Sequence, residues 1–293
     1  MATIANKDMV NKKRLSAKSV IKTTALYVGL TLITLIIAFP FFVLLSRSFM
    51  TDAEISSFDV KIFPTALSLN PYKKAFDTAL SKYIFNTLVI ILCNCIFIPF
   101  TASLSAYAFA KLKFAGKESI FFIALCTTML PTIVTQIPLY TMYTKLNWLD
   151  TYLPLIIPGL FGGGALNIFL IRQYMRAVPN SIMEAAQIDG CGWFMFFVRF
   201  MIPLAKPVIV LVAVQTFMAT WNDFTSPLIY INDESKFTLS VGVYMKFLQD
   251  SGGEFLHNQR MATGVIMSIP LIVIFFFFQK QLIEGVSLSG IKS

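Results

Sequence analysis

The chain has 293 residues, 56% of them hydrophobic and only 13% charged, with a mean hydropathy of +0.71. A soluble domain carries about 25% charged residues, so long apolar runs rather than one packed core are expected. The net charge of +9 comes with no Lys/Arg stripe interleaved with aromatics, and the 29 phenylalanines sit mainly inside apolar runs. That pattern speaks against nucleic acid as a partner and leaves the positive excess to set membrane orientation. The cysteines Cys93, Cys95, Cys126 and Cys191 include no CxxC pair, and His257 is the lone histidine. They read as reduced thiols packed as small hydrophobes, with no metal site.

In chain order, residues 1–22 form a basic tail with Lys7, Lys12, Lys13, Arg14, Lys18 and Lys22. A helix needs about 20 apolar residues to cross a bilayer. The runs 23–46, 83–110, 119–144, 151–171, 207–231 and 261–283 meet that length and predict six spans. The first is too long for a cleaved leader, and the following "LLSRSFMTD" offers no small-x-small site, so it is expected to stay as an anchor. Several runs contain proline, which neighbouring helices can accommodate by re-satisfying the freed backbone groups. Six spans put both termini on one side. Fifteen of the 24 Lys and Arg fall on that side and nine on the other, so the richer face is expected to be cytoplasmic. The organisation read here is a tail 1–22, a six-span domain 23–283 with an island at 179–206, and a C-terminal tail 284–293. The larger external segments are then 49–82 and 232–260.

The island, "NSIMEAAQIDGCGWFMFFVRFMIPLAKP" from Asn180, is polar and punctuated. Ser181 followed by Glu184 fits a capping box, with Pro179 discouraging an earlier turn. A two-turn helix over 182–189 is expected to stop at Gly190, the residue suited to a left-handed turn. Gly192 adds a second flexible point, and 193–202 reads as another apolar helix ended by Pro203. Ala185 and Ala186 are small enough for close approach, with Ile182, Met183 and Ile188 as apolar knobs around them. So short a helix is marginal alone. Either it docks in a partner's cleft or it lies on the headgroups with Glu184 serving only as a cap.

"EAAQIDG" with its downstream proline resembles the EAA motif of ABC importer permeases, EAA-x3-G-x9-I-x-L-P. Glu184, Ala185, Ala186, Gly190 and Pro203 match in register, while Phe200 and Ile202 stand at the I and L positions. The segments "NTLVIIL…SLSAYAFAKLKFAGK", "FLIRQYMRAVPNSIMEAAQIDG", "WNDFTSPLIYI" and "FTLSVGV" resemble the MalG-like permease subunits of carbohydrate importers. The ending "EGVSLSGIKS" is similar to their "GLTAGAVKG"-type tail. The likeness spans nearly the whole chain beyond its first 20 residues.

It implies an all-α, six-span type I ABC importer permease fold in a bacterial cytoplasmic membrane, with a cytoplasmic coupling helix. Glu184 would be the polar anchor to an ATPase subunit, Ala185 and Ala186 the close contact, and Gly190 the turn. Ile188, Asp189 and Pro203 complete the coupling segment, with Asp189 as a structural cap. The tail residues Gly285, Ser289 and Gly290 would reach the same ATPase. The implied partners are a second, MalF-like permease, two ATPase subunits, an extracytoplasmic solute-binding protein that meets the segment 232–260, and a sugar, with oligosaccharides favoured. ATP and Mg would belong to the ATPase, since this chain has no GxxxxGK[ST] loop, and no cofactor or enzymatic activity is expected here. The mechanism implied is alternating access.

Trp221, Asn222 and Asp223 in "WNDF" are pathway candidates: an acid within a span is functional by default, and the other two side chains suit a sugar. The competing reading has the span end early, before Pro227, near the outer interface. Gly163 in "GGGALN" is either an unwound solute-facing turn or, as favoured, a point of close helix packing. The alternatives are a secondary transporter, for which no internal repeat is visible, and an ABC importer of a non-sugar solute.

Overall fold

The computed structural model describes residues 17–57, 61–248 and 257–290. Every regular element among them is helical, as hydrocarbon requires of a chain that must close its own backbone hydrogen bonds. Four helices are long and apolar enough to cross a bilayer: Ile21–Ser48, Ala79–Lys111, Leu153–Ala177 and His257–Leu282. Two bent pairs bring the number to six, Lys117–Thr127 with Thr132–Lys145 at 95° and Trp193–Leu204 with Lys206–Asn222 at 77°. With each bent pair taken as one span, the six overlap the expected runs and are numbered spans 1 to 6 below. The name span 5 is kept for Lys206–Asn222, the half that falls in the expected run 207–231.

The breaks have local causes. Pro131, extended at φ −60° and ψ 133°, starts the second half of span 3 and has no N–H to continue the first. Just before it, the Thr127 and Thr128 hydroxyls donate back to the Ala124 and Leu125 carbonyls at 2.6 and 2.7 Å. Span 4 passes through a 3-10 turn at Ile157–Phe161 and then Gly162, Gly163 and Gly164, all with positive φ. A Cβ on Gly163 would lie 2.4 Å from Ile98 Cγ2 of span 2. The glycines are therefore both an unwound turn and a close approach, where the sequence favoured the second alone.

Span 5 is shorter than its apolar run. Its helix ends at Asn222, Asp223 is extended, and Thr225–Tyr230 is a separate short helix whose Ser226 amide donates to Asp223 Oδ1 at 3.1 Å. Of the two readings of Asp223, the early end of the span holds. Span 6 is longer: the helix runs from His257 to Gly290, with no break at 283, while residues 291–293 lie outside the described ones.

Span 2 is the axis of the molecule. It packs on span 5 and on Ala165–Ala177 of span 4, whereas the main neighbour of span 1 is span 6. The interior divides along span 2 into two clusters. One gathers Ala102, Ala106 and Tyr107 with Ile171, Phe197 and Met201, and takes in Met183 and Ala186 of the island. The other gathers Leu80, Tyr83 and Ile91 with Trp221, Phe237 and Leu239. Lipid tails are as apolar as leucine, so packing and interhelical hydrogen bonds hold such spans together. Asn86 Nδ2 donates to the Ser235 and Phe237 carbonyls at 3.1 and 2.9 Å, and Asn94 Nδ2 to the Leu155 carbonyl at 3.1 Å.

Candidate functional site

The island forms a helix over Asn180–Ile188 with Pro179 at its N-cap. The expected capping box is not made. The helix begins one residue before Ser181, so that hydroxyl lies inside the first turn, and no side chain caps the start. The stop is as expected. The Gly190 amide donates to the Gln187 carbonyl at 3.0 Å and the Cys191 amide to the Ala186 carbonyl at 2.9 Å, with Gly190 at φ +80°. That pairing is a Schellman stop. No atom lies within 4 Å of where a Gly190 Cβ would sit, so the backbone turn alone asks for glycine.

Two faces result. Met183 and Ala186 are buried in the chain's own core, at 9% and 6% exposure. Glu184, Ala185, Gln187, Asp189 and Gly190 are exposed, and Ile188 reaches 87%. The expectation that Ala185 and Ala186 both meet a partner is corrected: only Ala185 faces outward. Ala186 belongs instead to the buried cluster that the island shares with spans 2 and 4 and the second island helix. That second helix does not end before Pro203. It runs Trp193–Phe196, then a π-turn over Phe197–Met201, then Ile202–Leu204. The π-turn ends two residues before Pro203, whose missing N–H leaves the ordinary helical bond unformed.

The residues that hold this island, Lys111 and Tyr107, and those that fix the end of span 2 beside it, Arg172 and Lys117, were invisible as such in the sequence. Lys111, the last residue of span 2 and 8% exposed, donates to the Val178 carbonyl at 2.6 Å and to Asn180 Oδ1 at 2.9 Å. Tyr107, one turn earlier, donates to the Trp193 carbonyl at 3.1 Å. Arg172 is 4% exposed. Its Nη2 reaches both Glu118 oxygens at 2.6 and 2.7 Å, its Nε the Phe109 carbonyl at 3.1 Å, and its guanidinium lies 4.0 Å from the Phe121 ring centre. Lys117 Nζ donates to the Leu112 carbonyl at 3.0 Å. Three cations thus converge on the C-terminal end of span 2, where unpaired carbonyls and the helix dipole favour them. In the sequence they counted only toward orientation; the one available signal was the spacing of Tyr107 and Lys111, four residues apart on one stripe.

The pathway candidates fare differently. Trp221 is 3% exposed, stacks on Phe217 at 5.9 Å and donates its indole N–H to the Met267 carbonyl of span 6 at 3.1 Å. Its ring is a packing element with no face open to a solute, which corrects the expectation. Asn222 Nδ2 bonds the Met218 carbonyl of its own helix at 2.8 Å. Asp223 borders a cavity of about 40 Å³ shared with Thr87, Asn94, Leu155, Thr220 and Thr238. Ligand pockets run from about 300 Å³ upward, so this space suits water and not a sugar. Gly163 lies at the turn already described. Gly285, Ser289 and Gly290 continue the helix of span 6, and their surroundings lie outside the described residues. No cluster of His, Cys, Asp or Glu that could hold a metal occurs among the described residues.

Residues 98–287, more than half of the chain, match the family described as "Binding-protein-dependent transport system inner membrane component". The arabinooligosaccharides transport system permease protein AraQ of Bacillus subtilis is 30% identical over 272 residues, covering 92% of this chain and 95% of that one. The maltodextrin transport system permease protein MdxG of the same species is 28% identical over 271 residues, covering 91% and 95%. Among solved structures, a bacterial ABC transporter involved in the import of the acidic polysaccharide alginate aligns with a TM-score of 0.81 at 22% identity, covering 90% of this chain and 98% of that chain. That last likeness is one of fold.

Proposed function

The chain belongs to the binding-protein-dependent transport system inner membrane components, and on that premise we propose that it is the permease subunit of an ATP-driven importer of oligosaccharides. It is a multi-pass membrane protein and a transport component, not an enzyme. The reading of the solute rests on the relatives, named for arabinooligosaccharide and maltodextrin transport. The reading of the partners rests in part on a neighbouring structure, an alginate ABC transporter in complex with a saccharide-bound periplasmic protein. We take this chain to form the pathway with a second permease, to receive solute from a binding protein, and to be driven by two ATPase subunits that bind ATP and Mg. Both termini and the island then face the cytoplasm, in keeping with the fifteen basic residues on that side.

The observation that carries the proposal is the island helix Asn180–Ile188. It is anchored inward by Met183 and Ala186, turned sharply at Gly190, and presents Glu184, Ala185 and Ile188 outward. A short helix held so firmly on one side, with an apolar Ile188 and small Ala185 among polar side chains on the other, suits a groove in a cytoplasmic partner. ATP-driven closure there would move the island and, through it, the spans. The test is uptake of labelled arabinan and maltodextrin oligomers by proteoliposomes holding the full complex. Glu184→Ala combined with Gly190→Val is expected to abolish uptake while the permeases remain assembled; normal uptake by that double variant would sink the assignment.

A further inference from the structure

The island leaves span 4 through Val178–Pro179 and turns back through Gly190 and Gly192, so each end of its helix is a joint. Between these joints Met183 and Ala186 supply apolar contact, which fixes distance better than direction. Direction comes from span 2. Lys111 bridges the first joint by bonding the Val178 carbonyl and Asn180 Oδ1. Tyr107 reaches the second by bonding the Trp193 carbonyl just beyond the turn. Both side chains stand on one stripe of span 2, four residues apart. Lys111 is 8% exposed, and a buried charge of this kind is tolerated only where it is hydrogen-bonded.

We propose that Lys111, supported by Tyr107, is the positioning residue that transmits movement of the island helix to span 2. With its bonds made, a push on the exposed face of Asn180–Ile188 turns span 2. Span 2 is tied in turn to spans 3 and 4 by Arg172, which joins Phe109, Glu118 and Phe121. Without Lys111 the helix swivels about Pro179 and the push is dissipated. This inference rests on reading the island as the ATPase-docking segment, and the experiment separates the two.

In the complete reconstituted importer, Lys111→Met keeps the apolar stem and removes the donors. The complex is expected to assemble and to hydrolyse ATP without binding protein at close to the unaltered rate. Stimulation by loaded binding protein and solute uptake should both fall about tenfold, as loss of a charge-assisted hydrogen bond implies. Lys111→Arg restores both, and Asn180→Ala, which removes one of the two acceptors and strands no charge, lies between. Ile188→Glu, on the exposed face, is expected to release the ATPase subunits altogether. Normal stimulation in Lys111→Met, or an arginine variant as defective as the methionine one, overturns the positioning role even when Ile188→Glu releases the ATPase. An Ile188→Glu complex that keeps its ATPase and its uptake overturns the docking reading itself. Should Lys111→Met fail to assemble, Asn180→Ala decides: reduced stimulation supports the role and full stimulation overturns it.

Discussion

The two ends of span 2 solve opposite problems with opposite charges. At its C-terminal end Lys111, Lys117 and Arg172 bond carbonyls and one exposed carboxylate. At its N-terminal end Asp77 accepts the Leu80 amide at 2.8 Å and pairs with Lys246. Beyond it, Asp150 accepts the amides of Asn232 and Asp233 at 3.1 and 2.9 Å and lies 3.6 Å from Lys236 Nζ. Each end complements the helix dipole it meets, but the partners differ in kind. The island end uses buried or half-buried cations, mainly against backbone carbonyls, with the Glu118 carboxylate as their one titrating partner. The far end uses half-exposed acids against backbone amides and lysines. The first is suited to carrying force, and the second to pinning segments that a solute-delivering partner would meet.

The largest effect should come from breaking the island end at Arg172. Arg172→Ala loses the Phe109 and Glu118 bonds and the contact with Phe121, and a loss of about 2–3 kcal/mol is expected. Glu118 is 67% exposed, so water takes up its charge and no larger penalty applies. Thermal unfolding in detergent measures this, and Arg172→Lys, which keeps charge without the fork, should recover only part of it. An Arg172→Ala protein as stable as the parent would mean that the cation cluster is not what binds spans 2, 3 and 4. At the far end Asp150→Ala should cost less, about 1 kcal/mol, because the carboxylate is part-exposed and its lysine partner is screened. Hydrogen exchange should quicken at the Asn232 and Asp233 amides and stay unchanged at Cys191, whose amide closes the island turn. Quickening at both places would show that the ends are not independent.

Hydropathy made the spans legible because a bilayer imposes one length on every crossing helix. Gly190 was legible because a left-handed stop is a property of one residue. The capping boxes show where that kind of locality fails. Ser181-x-x-Glu184 and Thr51-x-x-Glu54 carry the same pattern, yet only the second is built. Thr51 is extended, at φ −70° and ψ 160°, and its side chain and Glu54 cap each other's amides. Ser181 lies already inside a helix whose first residue, Asn180, is held by Lys111 from 69 positions earlier. A motif of four residues carries no information about a lysine that distant. Trp221 was misread for the same reason, since its partner is the Met267 carbonyl 46 positions later. Lys111 and Arg172 count in the sequence only toward orientation, because burial of a cation depends on which carbonyls the fold brings to it.

The smallest expected effect sharpens the contrast most. Glu54 accepts from the Thr65 hydroxyl first, then from the amides of Thr51 and Thr65. These bonds lower its pKa from 4.5 to about 2. A carboxyl whose folded pKa is depressed contributes stability that is fully present above its unfolded pKa and is lost as pH falls through the folded one. The window here runs from about 4.5 down to about 2. Asp150 shifts in the same direction, held down chiefly by the Asp233 amide and then by that of Asn232. Lowering the pH from 5 toward 2 should therefore loosen the Thr65 segment progressively, read as faster exchange of the Thr65 amide. Glu54→Gln should remove that pH dependence. Over the same range the Lys111 and Tyr107 bonds to the Val178 and Trp193 carbonyls have no group that gains a proton, so the Cys191 amide should keep its protection. In a Glu118→Gln protein the carboxylate paired with Arg172 no longer titrates. Island amides that still loosen there in step with Thr65 would show that the acid end and the cation end share one cooperative unit, joined by span 2 more tightly than its two separate clusters suggest.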